Sequence, residues 1–439
     1  MNFGFPLANA GGNLYDMCDK NDPRQERGRM KLTNEIIVIG GGAAGMFAAG
    51  TAAEAGGHVL LIEQNDKLGK KLFITGKGRC NVTNDCTPEE MLRNVPRNGR
   101  FLYSAVYGFS PADMMKTLEA LGCPLKTERG NRVFPQSDRA ASIIDALRFR
   151  LKRSGVRTVQ AKAQALLISD GRVTGVRTDH GDYPADRVIL CTGGRSYPLT
   201  GSDGSGYALA EQAGHTLIEQ TGSLVPLVED GGWCARMQGL SLRNVAVRLI
   251  DGKNRTVYED FGELLFTHFG LSGPTILSAS AHRRAGERYR IEIDLKPALD
   301  EQKLDARILR DFEENQNRDI ENTLGALLPR SMIPVILERS GISGRTKVNS
   351  VTREQRRELE QLLKHFPVEI RGARPVEEAI VTSGGVKVSE INPKTMESKR
   401  TAGLYFAGEI IDVDAYTGGF NLQIAWSTGY AAGKAAAEG

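Results

Sequence analysis

Two widely separated stretches of this 439-residue chain carry residues of the type and spacing needed to grip a dinucleotide. The first is Gly40-x-Gly42-x-x-Gly45, set between an apolar run at 35–39 and a small-residue segment at 43–55. In that setting Gly40 permits a tight turn, Gly42 lets backbone approach a pyrophosphate, and Gly45 lets helix and strand pack closely. Ala43 and Ala44 then belong to a helix N-terminus whose amides face the phosphates. Glu63 ends a second apolar run, 58–62, and stands 18 residues after Gly45, placed to accept hydrogen bonds from an adenosine ribose. Gln64 beside it and Gly193, in Thr192-Gly193-Gly194, complete this half of the expected cofactor-binding set.

Such a site holds NAD or FAD equally well, and the discriminator lies at the far end of the chain. Gly408-Glu409 follows the apolar run 404–407, and Gly418-Gly419-Phe420-Asn421 opens a final small-residue helix, 419–437. This arrangement resembles a motif that closes over a flavin. Glu409 is placed for a ribityl hydroxyl, and the amides near Gly419, Phe420 and Asn421 for the flavin pyrimidine oxygen. The positive end of that helix stabilises charge developing on a ring that accepts a hydride.

The elements that must position these residues follow from periodicity. Residues 35–39, 43–55 and 58–62 read as strand, helix, strand, a βαβ unit with buried parallel strands. Two alternating runs within 163–176 meet at Asp170-Gly171, a hairpin signal, and another buried strand spans 187–191. Short strands with turn residues fill 196–297, helical periods fill 300–366, and strand character returns at 403–407. The expected fold is α/β: a Rossmann-like FAD-binding domain, 32–196 and 372–439, interrupted by a β-barrel-like insert, 197–298, and a small helical one, 299–371. Residues 1–31 lack apolar period and a secretion signal, and read as a disordered tail or a mis-assigned start with Met30 as the true one.

Composition excludes several classes. Hydrophobic residues make up 40% and charged residues 25%, which is ordinary globular usage. The net charge of +4 is spread evenly, which argues against a nucleic-acid partner. Six cysteines without a Cys-x-x-Cys pair fit a reducing, cytoplasmic compartment. The uncharged stretch 36–53 is long enough to consider as a membrane span, but Gly40, Gly41, Gly42 and Gly45 interrupt it, and no membrane association is expected. The six histidines form no ligand-spaced cluster, so no metal is expected.

The string Gly69-Lys-Lys-Leu-Phe-Ile-Thr-Gly-Lys-Gly-Arg-Cys-Asn-Val-Thr-Asn84 is long and unusual. With Thr192-Gly-Gly-Arg-Ser-Tyr-Pro198, Thr267-His-Phe-Gly-Leu-Ser-Gly-Pro274 and Thr382-Ser-Gly-Gly-Val386, it resembles the BaiN/YhiN-like NAD(P)/FAD-dependent oxidoreductases, glutathione-reductase-like flavoproteins. The resemblance runs from Asn34 almost to the C-terminus. It implies FAD as cofactor, with Arg79, Cys80 and Asn81 approaching it and Lys70 or Lys71 meeting its phosphates. It also implies a small-molecule substrate and reduction of conjugated double bonds in steroid-like bile acids.

NADH or NADPH is expected as a transient co-substrate, because no second glycine fingerprint appears between Gly194 and Gly403. Tyr197, His268 and Ser272 are candidate donors to a substrate carbonyl, and His268 is favoured for a structural role. Three competitors stay open: a dithiol reductase using Cys80 and Cys86, an amine oxidase using oxygen, and an FAD-containing tRNA-modifying or RNA-binding protein. The substrate, the catalytic acid and the oligomeric state are not legible from the residues.

Overall fold

The computed structural model describes residues 35–284 and 286–439, so the expected tail at 1–31 and the choice between Met1 and Met30 lie outside the described residues. Ile36–Ile39 are at most 5% exposed, as a strand of β-branched residues covered on both faces must be. This first strand, Glu35–Ile39, is central in a parallel sheet of five. Across it run Leu404–Phe406, Arg187–Leu190, the first strand, His58–Glu63 and Arg157–Gln160. The C-terminal strand therefore pairs directly with Arg187–Leu190, in register Val188 to Leu404.

Two helices pack on this sheet and on each other. The lead helix, Ala43–Glu54, and the closing helix, Phe420–Glu438, are rich in alanine and glycine. A Cβ on Gly429 would sit 2.7 Å from the Ala44 carbonyl oxygen, and one on Gly433 would sit 2.4 Å from that of Ala48. Small residues are thus what allow the two backbones to approach, and burial on nearly all sides removes the usual polar face. The hairpin expected at Asp170-Gly171 joins Ala163–Ser169 to Arg172–Thr178, with φ of 51° and 73° at its two corner residues. Positive φ at both positions is the geometry that matches strand twist.

The insert forms a second core. Its six strands close a barrel in the order Leu227–Glu229, Gly270–Ser272, Thr256–Thr267, Ser241–Asp251, Tyr289–Asp294 and Phe366–Ala373. The helices Glu301–Glu313, Ile333–Arg339 and Arg353–Lys364 share that core: Leu304, Ile336 and Leu359 pack with Val247, Ile291 and Val368. The barrel and the helical segments expected on either side of 298/299 are both present, and their apolar residues join in one core. The expected boundary at 196/197 shifts. Tyr207, Leu209, Ala210 and Ala213 belong to the sheet's core, so the chain leaves that unit later. It crosses on Leu217–Ser223, which pairs antiparallel with the returning strand Val381–Val386.

Among the described residues no helix is long and apolar enough to cross a membrane.

Candidate functional site

A cavity of about 360 Å³ runs along the C-terminal edge of the parallel sheet, from the turn at Gly40 to the start of the closing helix. Its lining includes Gly40, Gly42, Ala43, Ala44, Glu63, Gln64, Lys70, Lys71, Asn81, Gly193, Gly408, Glu409, Gly419 and Asn421. Residues nearly 380 positions apart thus face one space, as ligand sites at the carboxyl ends of such strands require. Gly45, Arg79, Cys80 and Phe420 are not on its wall.

The local reasons differ residue by residue. Gly40 has φ of 102°, and a Cβ there would lie 2.5 Å from the Cys191 carbonyl oxygen. Gly45 acts behind the wall: a Cβ would stand 1.7 Å from the Gly40 carbonyl oxygen, so its hydrogen is what lets the helix meet the turn. At Gly42 a Cβ would meet nothing within 4 Å, leaving bare backbone open to a ligand. Both the lead helix and the closing helix begin at a glycine without a side-chain cap. Their first amides are consequently available to anionic or acceptor oxygens of a ligand.

Three carboxylate and ammonium groups have tasks that spacing did not reveal. Glu63 lines the cavity, yet its oxygens already accept from the Gly41 amide at 2.6 Å and from the Asn65 amide at 2.8 Å. It therefore fixes the glycine turn. Lys71 donates to Glu409 at 2.6 Å and to Ser196 at 2.7 Å, bringing together residues from opposite ends of the chain. Glu409 also accepts from the Thr382 amide at 2.8 Å and the Ser196 hydroxyl at 2.9 Å. Burial opposes its charge, but Lys71 and these donors outweigh it and hold the carboxyl below the ordinary glutamate range. Of the two lysines expected near phosphate, Lys71 thus lines the cavity with its charge paired to Glu409. Lys70 pairs with Asp66 at 2.9 Å and Asn65 at 3.2 Å, on the cavity wall. Gln64 donates to the Gly201 carbonyl at 2.9 Å.

The long string 69–84 serves mainly as a brace. Asn84 donates to the Gly418 carbonyl, Thr83 to Gln423, and the Trp426 indole to the Val82 carbonyl, all between 2.6 and 3.0 Å. Gly419 has to be glycine here, since a Cβ would lie 2.3 Å from the Thr83 carbonyl oxygen. Arg79 turns away from the cavity to Glu128 and Asp138 and lies 4.1 Å from the centre of the Phe134 ring. Its side chain therefore stands off the cavity wall. Cys80 is fully buried, packed in the sheet's core with a left-handed φ of 60°, and burial pushes its thiol up to about 12. Only Asn81 of this trio reaches the wall, where its buried Oδ1 has no partner among the described residues.

The same thiol chemistry weighs against a dithiol pair, because burial and neighbouring Glu90 and Asp85 also push Cys86 up to about 11. Thiol titration of oxidised and dithionite-reduced protein should give equal counts. A gain of two thiols on reduction would restore the pair.

The residues fit a dinucleotide with a flavin end. Thr192 Oγ1 and Ser202 Oγ, like Asn81 Oδ1, are buried on the cavity wall without hydrogen-bond partners among the described residues. Buried polar atoms of this kind are normally satisfied, so a polar ligand is the natural partner. Two open helix ends, one beside the glycine turn and one beside Gly418, match a long ligand with a phosphate part and a ring part.

Residues 34–435 match the family model described as HI0933-like protein Rossmann domain. The chain belongs to the HI0933-like family. It is 33% identical over 412 residues to a 3-dehydro-bile acid delta(4,6)-reductase of Clostridium scindens, covering 92% of this chain and 99% of the relative. It is also 32% identical to the ribosomal RNA dihydrouridine synthase of Escherichia coli, covering 90% and 96%. Among solved structures, a 3-ketosteroid-delta4-(5alpha)-dehydrogenase from Rhodococcus jostii RHA1 shares the fold, with a TM-score of 0.51 at 17% identity over 94% of this chain and 98% of that one. This HI0933-like chain is an FAD-dependent oxidoreductase.

The donors singled out in sequence are elsewhere in this HI0933-like fold. Tyr197, His268 and Ser272 are absent from the cavity wall, and His268 is exposed on a barrel turn against Phe269. Sequence reading missed Tyr416, which does line the cavity, and His282, whose Nε2 lies 2.6 Å from its hydroxyl oxygen. Asn421 fixes the loop that carries Tyr416: its amide accepts from the Ala415 N–H at 2.9 Å and donates to the Ala415 carbonyl at 2.7 Å. Position alone was the available signal, since Tyr416 stands two residues before Gly418 of the closing motif.

Proposed function

We propose that the chain draws electrons from NADH or NADPH and reduces a carbon–carbon double bond conjugated to a carbonyl, in a small apolar substrate of steroid or bile-acid type. The observation that carries this reading is the Tyr416–His282 pair at the closing-helix end of the cavity. Reduction of a double bond adds one hydride and one proton, and FAD when bound supplies the hydride chemistry. The chain's own part is to hold the proton and orient the substrate. Burial pushes the Tyr416 phenol above its ordinary value, keeping it a donor. Burial and the nearby Arg97 hold His282 below the ordinary histidine range, so it is a neutral partner at neutral pH. Leu224, Val381, Val413 and Leu422 give this part of the wall an apolar character suited to a ring system.

The ribosomal RNA dihydrouridine synthases favour a second reading within the same chemistry. Uracil also presents a double bond conjugated to a carbonyl, and a base would have to leave its stack to enter the cavity. Anaerobic mixing of purified yellow protein with NADH and NADPH should bleach the flavin band. A dehydro steroid acid should then restore the colour faster than uridine-containing RNA. Failure of both nicotinamides to bleach the band would end the proposed electron source, and faster return with RNA would favour the second reading.

A further inference from the structure

Beside the cofactor cavity, on the barrel side of the paired crossing strands Leu217–Ser223 and Val381–Val386, lies a second cleft of about 320 Å³. Its wall carries four arginines, Arg97, Arg283, Arg284 and Arg374, together with Thr221 and Ser383. Their charges are unequally matched. Arg374 is held by Glu378 through two hydrogen bonds of 2.9 and 2.6 Å. Arg97 donates to the Ala281 carbonyl at 3.2 Å and approaches the Asp414 carboxylate only to 3.9 Å. Burial pushes the Asp414 carboxyl up, which weakens it as a counter-charge.

Arg283 and Arg284 make no ion pair among the described residues, and the Arg283 Nε is buried without a hydrogen-bond partner. Arg283 is half-buried and Arg284 exposed, so the cost falls on the Arg283 Nε–H, which loses water and gains no acceptor unless an incoming anion supplies one. The cleft also adjoins the proposed proton donor: Ala281 and Arg283, on its wall, flank His282, the partner of Tyr416.

We propose that this cleft is an oxyanion subsite that binds a carboxylate or phosphate of the substrate while its reducible bond sits at Tyr416. Planar guanidinium groups bind both oxyanions through paired N–H donors. The subsite deepens the reading of the function and rests on it only for where the reacting bond lies; anion binding itself does not depend on turnover.

The test uses the FAD-loaded full chain. Inorganic phosphate should raise its Tm in the parent, and the shift should be lost in the double variant Arg283→Ala, Arg284→Ala. An Arg283→Lys variant, which keeps the charge and loses the fork, should retain a smaller shift. In a second arm, a dehydro steroid acid should bind at least about tenfold more tightly than its methyl ester, as one well-made charged contact implies. Uridylate and uridine form the parallel pair, and whichever pair shows discrimination that vanishes in the double variant identifies the source of the anion. An equal phosphate shift in parent and variants, or none in the parent, overturns the subsite. If phosphate binds as expected and no double bond is reduced, the functional reading fails while the subsite stands.

Discussion

A Gly45→Val chain should emerge from purification colourless and unfold at a lower temperature than the parent. Even the first added carbon would stand 1.7 Å from the Gly40 carbonyl oxygen, where the collision partner is backbone and not a flexible side-chain end. Overpacking costs roughly 1–3 kcal/mol when side chains can shift. Here the lead helix itself must move, taking with it the open amides beside Gly42 and the bond from the Gly41 amide to Glu63. Gly108→Ala is the matched control, since a Cβ there meets nothing within 4 Å and its φ is unremarkable. Flavin absorbance per chain and thermal unfolding read both effects. A yellow Gly45→Val protein with the parent's melting temperature would mean that the helix and turn do not touch as described.

Tyr416→Phe should bleach with nicotinamide as fast as the parent, yet return its electrons to a double bond about 10²–10⁴-fold more slowly, the usual worth of a positioned acid. The ring still fills its place on the wall, so substrate binding should change little and the loss should fall on kcat. Sign follows from the local field. The raised phenol stays protonated to higher pH than a free tyrosine, and the lowered imidazole stays neutral through the neutral range. The oxidative half of the cycle should therefore be flat across neutral pH and decline only in alkali. An unchanged rate in the variant would take Tyr416 out of the chemistry.

Much of the scaffold was legible because its signals are local. The glycine turn, the apolar runs at 35–39 and 187–191, and the Asp170-Gly171 corner each declare themselves within a few residues. The site's polar wiring was not legible, for the opposite reason. The resemblance put Lys70 or Lys71 near phosphate, but the partner of Lys71, Glu409, lies 338 residues away and only the sheet order brings them together. Arg79 was assigned by resemblance, and its acidic partners Glu128 and Asp138 come from a different hairpin and loop. His282 belongs to the barrel unit and Tyr416 to the Rossmann unit, so no spacing rule links them. Helical period over 300–366 was recognised, but a periodic apolar face does not say which surface it covers. That is why the core shared by helices and barrel was not legible in it.

The flavin-side helix begins only at Phe420, while the glycine turn it completes is made at Gly40. On the ribosome, the glycine turn is therefore synthesised long before the closing helix that completes the cavity wall. A chain cut before Gly419 would keep the glycine turn and lose the open amides of the closing helix, leaving one side of the cavity without its wall.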